Sequence, residues 1–107
     1  IDMLSIEIKI AGEQQEILLD GDLKGIEALD LRKKISSIIK ESATSVIINL
    51  SQVVEMDLTG FNAIVIFKKE LYQRNKKLYL VAPKDNIVHG YIHLSKLEFN
   101  YLQQVNK

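Results

Sequence analysis

Val46-Ile47-Ile48-Asn49-Leu50, followed by Ser51-Gln52-Val53-Val54-Glu55-Met56-Asp57-Leu58-Thr59-Gly60-Phe61, is the stretch on which the fold turns. The first five residues form an apolar run interrupted only by Asn49, the pattern of a short strand covered on both faces. Asp57 then reads as a helix N-cap, because its carboxylate can accept from the free amides of a first turn. The apolar residues that follow recur at helical spacing, so a helix is predicted over 59–74. Within it Gly60, Ile64, Phe67 and Leu71 share the face that should meet a sheet, at 100° per residue.

Working outward, Ala28, Leu31, Ile35, Ile38 and Ile39 recur at spacings of three and four, with basic residues between them. That predicts an amphipathic helix over 25–40, its Arg32-Lys33-Lys34 run on the solvated side. Upstream, Leu4, Ile6, Ile8 and Ile10 alternate with Ser5, Glu7 and Lys9, as in a strand with one buried face. Ala11-Gly12-Glu13 supplies a turn, 15–19 reads as the paired strand, and Asp20-Gly21-Asp22 should end it. Downstream, 78–82 is a short strand stopped by Pro83, 85–94 a further helix, and 97–105 ambiguous between strand and helix.

The order is therefore β-β-α-β-α-β-α. Two strand–helix–strand units call for parallel pairing with right-handed crossovers, and the opening hairpin adds an antiparallel pair. The expected architecture is α/β: a mixed four- to five-stranded sheet with layered helices. Residues 1–3 read as a cloning remnant ahead of a natural start at Met3, leaving one domain over 4–107. In such sheets sites lie at the carboxyl ends of the parallel strands, which directs attention to the connections after Leu19, Leu50 and Ala82.

Composition narrows the chemistry. The chain has 107 residues, with 14 Lys+Arg against 14 Asp+Glu, so no global field draws it to nucleic acid or to an acidic membrane. With no Cys it has no disulfide framework, thiolate nucleophile or Cys-ligated metal. Its longest unbroken apolar stretch, 63–67, is far short of the roughly 20 residues of a membrane helix. These features predict a soluble, cytoplasmic domain without direct membrane insertion. His89 and His93 are four apart on the expected third helix, but no Glu stands between them in the metalloprotease arrangement and no third ligand is near in sequence. No metal and no cofactor is expected. Nor is there a phosphate-cradling glycine loop or a Ser/His/Asp set, which argues against an enzyme. Arg74, Lys76 and Lys77 read as cations complementing the end of the second long helix.

Thr59 falls in the first turn of that helix, where the outward amides and the dipole favour negative charge. A phosphate on its hydroxyl would add about −1.5 to −2 charge beside Glu55 and Asp57. An ordinary capped helix explains the same residues. Beside Thr59, Phe61, Val65, Lys68 and Tyr72 form a second stripe, open to two readings: a broad core stripe, or a partner-facing ridge around a switchable polar centre.

Taken together, the strand 46–50, then Ser51, Val53, Met56-Asp57, Thr59-Gly60 and apolar Phe61, resemble the STAS domain of anti-sigma factor antagonists. Gly21-Asp22-Leu23 before the first helix and Leu94-Ser95-Lys96-Leu97 near the end extend the resemblance over nearly the whole chain. In that family Asp-Ser-Ser/Thr-Gly follows the strand, and a partner kinase phosphorylates the second hydroxyl residue. The resemblance places Thr59 at the phosphoacceptor position, with Asp57, Leu58 and Gly60 around it. Leu58 replaces the first hydroxyl, and Lys24 stands where many members carry an acid, in a loop that lies near the phosphoacceptor and contacts the kinase. It implies partner contacts through that loop, with Gly21 and Asp22, to which the partner-facing reading of the second stripe adds Phe61, Val65, Lys68 and Tyr72. The implied partner is an anti-sigma factor acting as a serine/threonine switch kinase of the histidine-kinase-like ATPase type, with a phosphatase to reset it. Two other functions stay open: an unphosphorylated scaffold subunit of a lipid-transport ABC complex or stress-signalling assembly, and a sensor of a nucleotide or lipid.

Overall fold

The computed structural model describes residues 3–83, 90–91 and 99–102. Six elements follow one another: β1 (Ser5–Ala11), β2 (Gln14–Leu23), α1 (Gly25–Ile38), β3 (Ser45–Met56), α2 (Leu58–Gln73) and β4 (Lys77–Val81). The strands lie in the order β1-β2-β3-β4. β1 and β2 are antiparallel, whereas β2 with β3 and β3 with β4 are parallel. This is the mixed α/β sheet expected from the element order.

The hairpin closes through Gly12 and Glu13. Gly12 has φ 62°, the left-handed geometry that a two-residue hairpin turn with glycine at its first central position requires. Because the strand order follows the chain order, two crossovers of the same hand place α1 and α2 on the same face of the sheet, where they pack on each other. The core lies between that face and the helices. Ile17, Leu19 and Leu23 of β2 and Val46, Ile48 and Leu50 of β3 meet Ala28, Leu31 and Ile35 of α1. From α2 they meet Gly60, Ile64, Phe67 and Leu71, the face read from the sequence, joined by Ala63.

Four expectations change. First, among the described residues β3 is fully covered on one face only: Ile47 and Asn49, pointing away from the helices, are half-buried, and the Asn49 amide donates to Glu16 Oε2 at 2.9 Å. Sequential strand order leaves no crossover for the second face. Second, β1 does not have a fully buried face. Leu4 and Ile6 pack against the core, but Ile8 is 39% and Ile10 52% exposed, since neither helix lies over β1. Third, β2 and β3 run well past Leu19 and Leu50. Their ladder continues to Leu23 and Met56 through register shifts between Leu18 and Asp20 and between Gly21 and Asp22. These irregularities break the two-residue period by which a strand is recognised, so the segments read as loops. Fourth, the ambiguous tail supplies one parallel bridge, Tyr101 to Leu80, with Leu80 N–H donating to Asn100 O and Leu102 N–H to Leu80 O, both at 2.8 Å. Of the third predicted helix, Gly90 and Tyr91 are helical; its other residues, with His89 and His93, lie outside the described ones.

Candidate functional site

The extended β2 and β3 end side by side, so α1 and α2 start as neighbours. Asp57 joins the two starts. Its backbone is extended, its Oδ1 accepts from Gly60 N–H at 2.8 Å, and its Oδ2 accepts from Gly25 N–H at 3.1 Å. The N-cap of one helix is thus also an acceptor for the first amide of the other. Two positive helix ends converge on one carboxylate, which offsets both dipoles.

Gly60 allows a close backbone approach, and the backbone concerned is this chain's own. A Cβ at position 60 would sit 1.9 Å from Leu23 O, so only glycine lets α2 meet the end of β2 at this distance. Gly21 is likewise structural: its φ is 114°, and a Cβ there would lie 2.6 Å from Met3 O. Gly21 and Asp22 are half-buried positions within β2, not the free loop that the sequence suggested. Oδ1 of Asp22 is buried and accepts no hydrogen bond among the described residues.

Lys24, the N-cap of α1, has no side-chain bond to its helix. Its ammonium instead reaches both Glu55 carboxylate oxygens at 3.2 Å. That bond, then the Glu55 charge and more weakly those of Asp22 and Asp57, raise the Lys24 pKa above 10.5. Lys24 is therefore protonated at neutral pH and already paired across the two helix starts.

Thr59 is half-buried in the first turn of α2. The large apolar residues exposed on the segments that meet here are Leu58 at 60%, Val54 at 62% and Ile26, near the start of α1, at 76%, alongside exposed Lys24 and Glu55. Val54 and Ile26 were missed in the sequence, although both fall outside the apolar period of their elements, which is the available signal.

The expected ridge does not form one exposed stripe. Phe61 is 3% exposed, stacked on Tyr91 with ring centroids 5.4 Å apart and edge-on to Phe99 at 6.4 Å. A C-terminal segment thus covers it. Val65 is half-buried, and the Lys68 ammonium sits 4.8 Å from the Phe99 ring centroid. Tyr72 is 82% exposed. Val65, Lys68 and Tyr72 instead share a cleft of about 630 Å³ with Leu78 and Phe99, on the α2 flank.

The basic cluster also differs from expectation. Arg74 donates to Glu70 in its own helix and to the Ser36 carbonyl and hydroxyl of α1 at 2.9 Å, while Lys76 donates to Glu41 O and Ala43 O. Arg74 thus complements the carboxyl end of the neighbouring helix, and Lys76 holds the turn that follows it. No group of three or more His, Cys, Asp or Glu among the described residues is arranged to hold a metal, and no helix there is long and apolar enough to cross a membrane.

A family model for the STAS domain matches residues 6–103. The chain belongs to the STAS domain family. Solved structures agree on the fold of this STAS domain. An anti-sigma factor antagonist from Mycobacterium paratuberculosis superposes with a TM-score of 0.80 at 17% identity, covering 97% of this chain and 89% of that one. The anti-sigma factor antagonist SpoIIAA in its unphosphorylated form gives 0.71 at 19%, covering 94% and 90%. The Bacillus cell fate determinant SpoIIAA in its phosphorylated form gives 0.67 at 22%, covering 85% and 83%. None of the curated proteins matches the sequence.

Proposed function

We propose that this STAS domain is a protein-binding regulator, an anti-sigma factor antagonist whose partner is an anti-sigma factor with switch-kinase activity. The observation that carries the reading is Thr59 in the first turn of α2, with exposed Leu58 beside it and exposed Val54 and Ile26 on the strand and helix that meet at this end of the sheet. An apolar surface around one modifiable hydroxyl suits reversible docking. Phosphorylation of Thr59 would bring about −1.5 to −2 charge to a surface that already holds Glu55 and Asp57. The helix start favours that charge, but a partner docked on apolar side chains loses contact with it. This chain supplies the acceptor hydroxyl and the partner supplies the phosphoryl-transfer chemistry; a phosphatase returns the domain to its binding form.

A second reading is a scaffold that uses the same surface without phosphorylation. The Lys24–Glu55 pair favours it, because Lys24, the cation at the adjoining helix start, is already engaged.

Incubation with candidate switch kinases and ATP, followed by mass spectrometry, tests the proposal. One phosphate is expected, on Thr59, and Thr59→Ala removes it. Thr59→Glu should weaken partner capture on the order of 10- to 100-fold, the cost of an uncompensated charge in an interface. If Thr59 stays unlabelled while the wild type and both variants hold the same partner equally, the scaffold reading stands instead.

A further inference from the structure

We propose that β1 is a self-association edge, along which a second copy of this chain adds antiparallel to make a sheet continuous across the dimer. The surface is separate from the Thr59 site. Among the described residues β1 is the outer strand of the sheet, and of the devices that usually block such an edge it carries only charged side chains, Glu7 and Lys9. It has seven residues, no Pro and an unbroken register with β2 from Ser5↔Asp20 to Ala11↔Gln14, without a bulge.

Its backbone groups are set for pairing. Ala11 and Gln14 close a two-residue hairpin, and the closing pair of such a hairpin exchanges hydrogen bonds. Alternation then turns the N–H and C=O of Ile6, Ile8 and Ile10 to the open side.

The sequence Ser5-Ile6-Glu7-Ile8-Lys9-Ile10-Ala11 is complementary to itself when reversed. A two-fold axis through Ile8 sets Ile8 against its own copy, Ile6 against Ile10, and Glu7 against Lys9, twice over. The outward-facing Ile6, Ile8 and Ile10 then form the hydrogen-bonded pairs. The isoleucines that neither α1 nor α2 covers, Ile8 at 39% and Ile10 at 52% exposure, gain apolar neighbours. On the opposite sheet face Glu7 and Lys9, now only 3.9 Å from each other within one strand and well exposed, gain opposite charges directly across the junction. Moving the axis to Glu7 or Lys9 would set like charges face to face, so charge selects the register centred on Ile8.

Sedimentation equilibrium of the whole chain from micromolar to millimolar concentration should show a monomer–dimer equilibrium. Glu7→Lys or Lys9→Glu alone places like charges opposite each other twice, and should weaken the dimer about tenfold or more. The double variant restores opposite charges and should return to within a few-fold of wild type. An equimolar mixture of the two single variants should form a heterodimer tighter than the wild-type dimer. Ile8→Lys, at an exposed position on the axis, should abolish association with circular dichroism and melting temperature maintained. A wild type that remains monomeric at millimolar concentration overturns the proposal. So does a dimer indifferent to the single charge reversals, or one that the double variant fails to restore.

Discussion

Gly60 and Asp57 show how much a single residue decides here. A methyl group at position 60 would collide with Leu23 O, a backbone atom fixed by the β2–β3 ladder, so neither side can rotate away. Gly60→Ala should therefore cost about 3 kcal/mol or more, read as a lowered melting temperature. Asp57→Ala removes acceptors from two helix starts and should cost about 1–2 kcal/mol by denaturant unfolding. Asp57→Asn, which keeps one carbonyl oxygen, should fall between. For Lys24 the sign follows from its raised pKa. A cation held by Glu55 contributes stability that is fully present below the unfolded value of 10.5 and lost as pH rises through the higher folded value. The melting-temperature difference between wild type and Lys24→Ala should thus be small but constant near neutrality, closing in strong alkali. The Asp57 cap was legible because a cap and its first turn are neighbours in sequence. Its second bond, to Gly25, spans 32 residues and leaves no local trace.

At the scale of elements, α1 depends on a strand for its ending. Gln15 of β2 is fully buried; its amide nitrogen donates to Ile38 O at 2.8 Å and its amide oxygen accepts from Lys40 N–H at 2.9 Å. The strand thereby caps the helix that follows it. Gln15→Leu takes the partner from two part-buried backbone groups, a loss of about 1–3 kcal/mol. Amide exchange should accelerate first in the last turn of α1. In sequence Gln15 looked like an ordinary strand residue, since its partners are set by how α1 lies over the sheet. The periodic elements were legible to within a few residues, as α1 and α2 show. The second halves of β2 and β3 were not, because a bulge replaces alternation with a local pattern that resembles a turn.

For the whole molecule, the same strand order that puts both helices on one face leaves β1 beyond their cover. It thus exposes the isoleucines that the self-association test addresses. The order also brings the ends of β2 and β3 together, which gathers Lys24, Glu55, Asp57 and Thr59 from two separated stretches of chain. By itself the sequence determined the kinds of element, their order, the cap at Asp57 and the likeness to the STAS family, because each is written in residues close along the chain. Only the tertiary structure decided that Phe61 lies beneath Tyr91 and Phe99, and that Gly60 accommodates Leu23. The same holds for Asp57 serving two helices and for β1 standing open at the edge. Each of these rests on contacts between residues far apart in sequence, whose geometry emerges only when the layers pack and no local period encodes it.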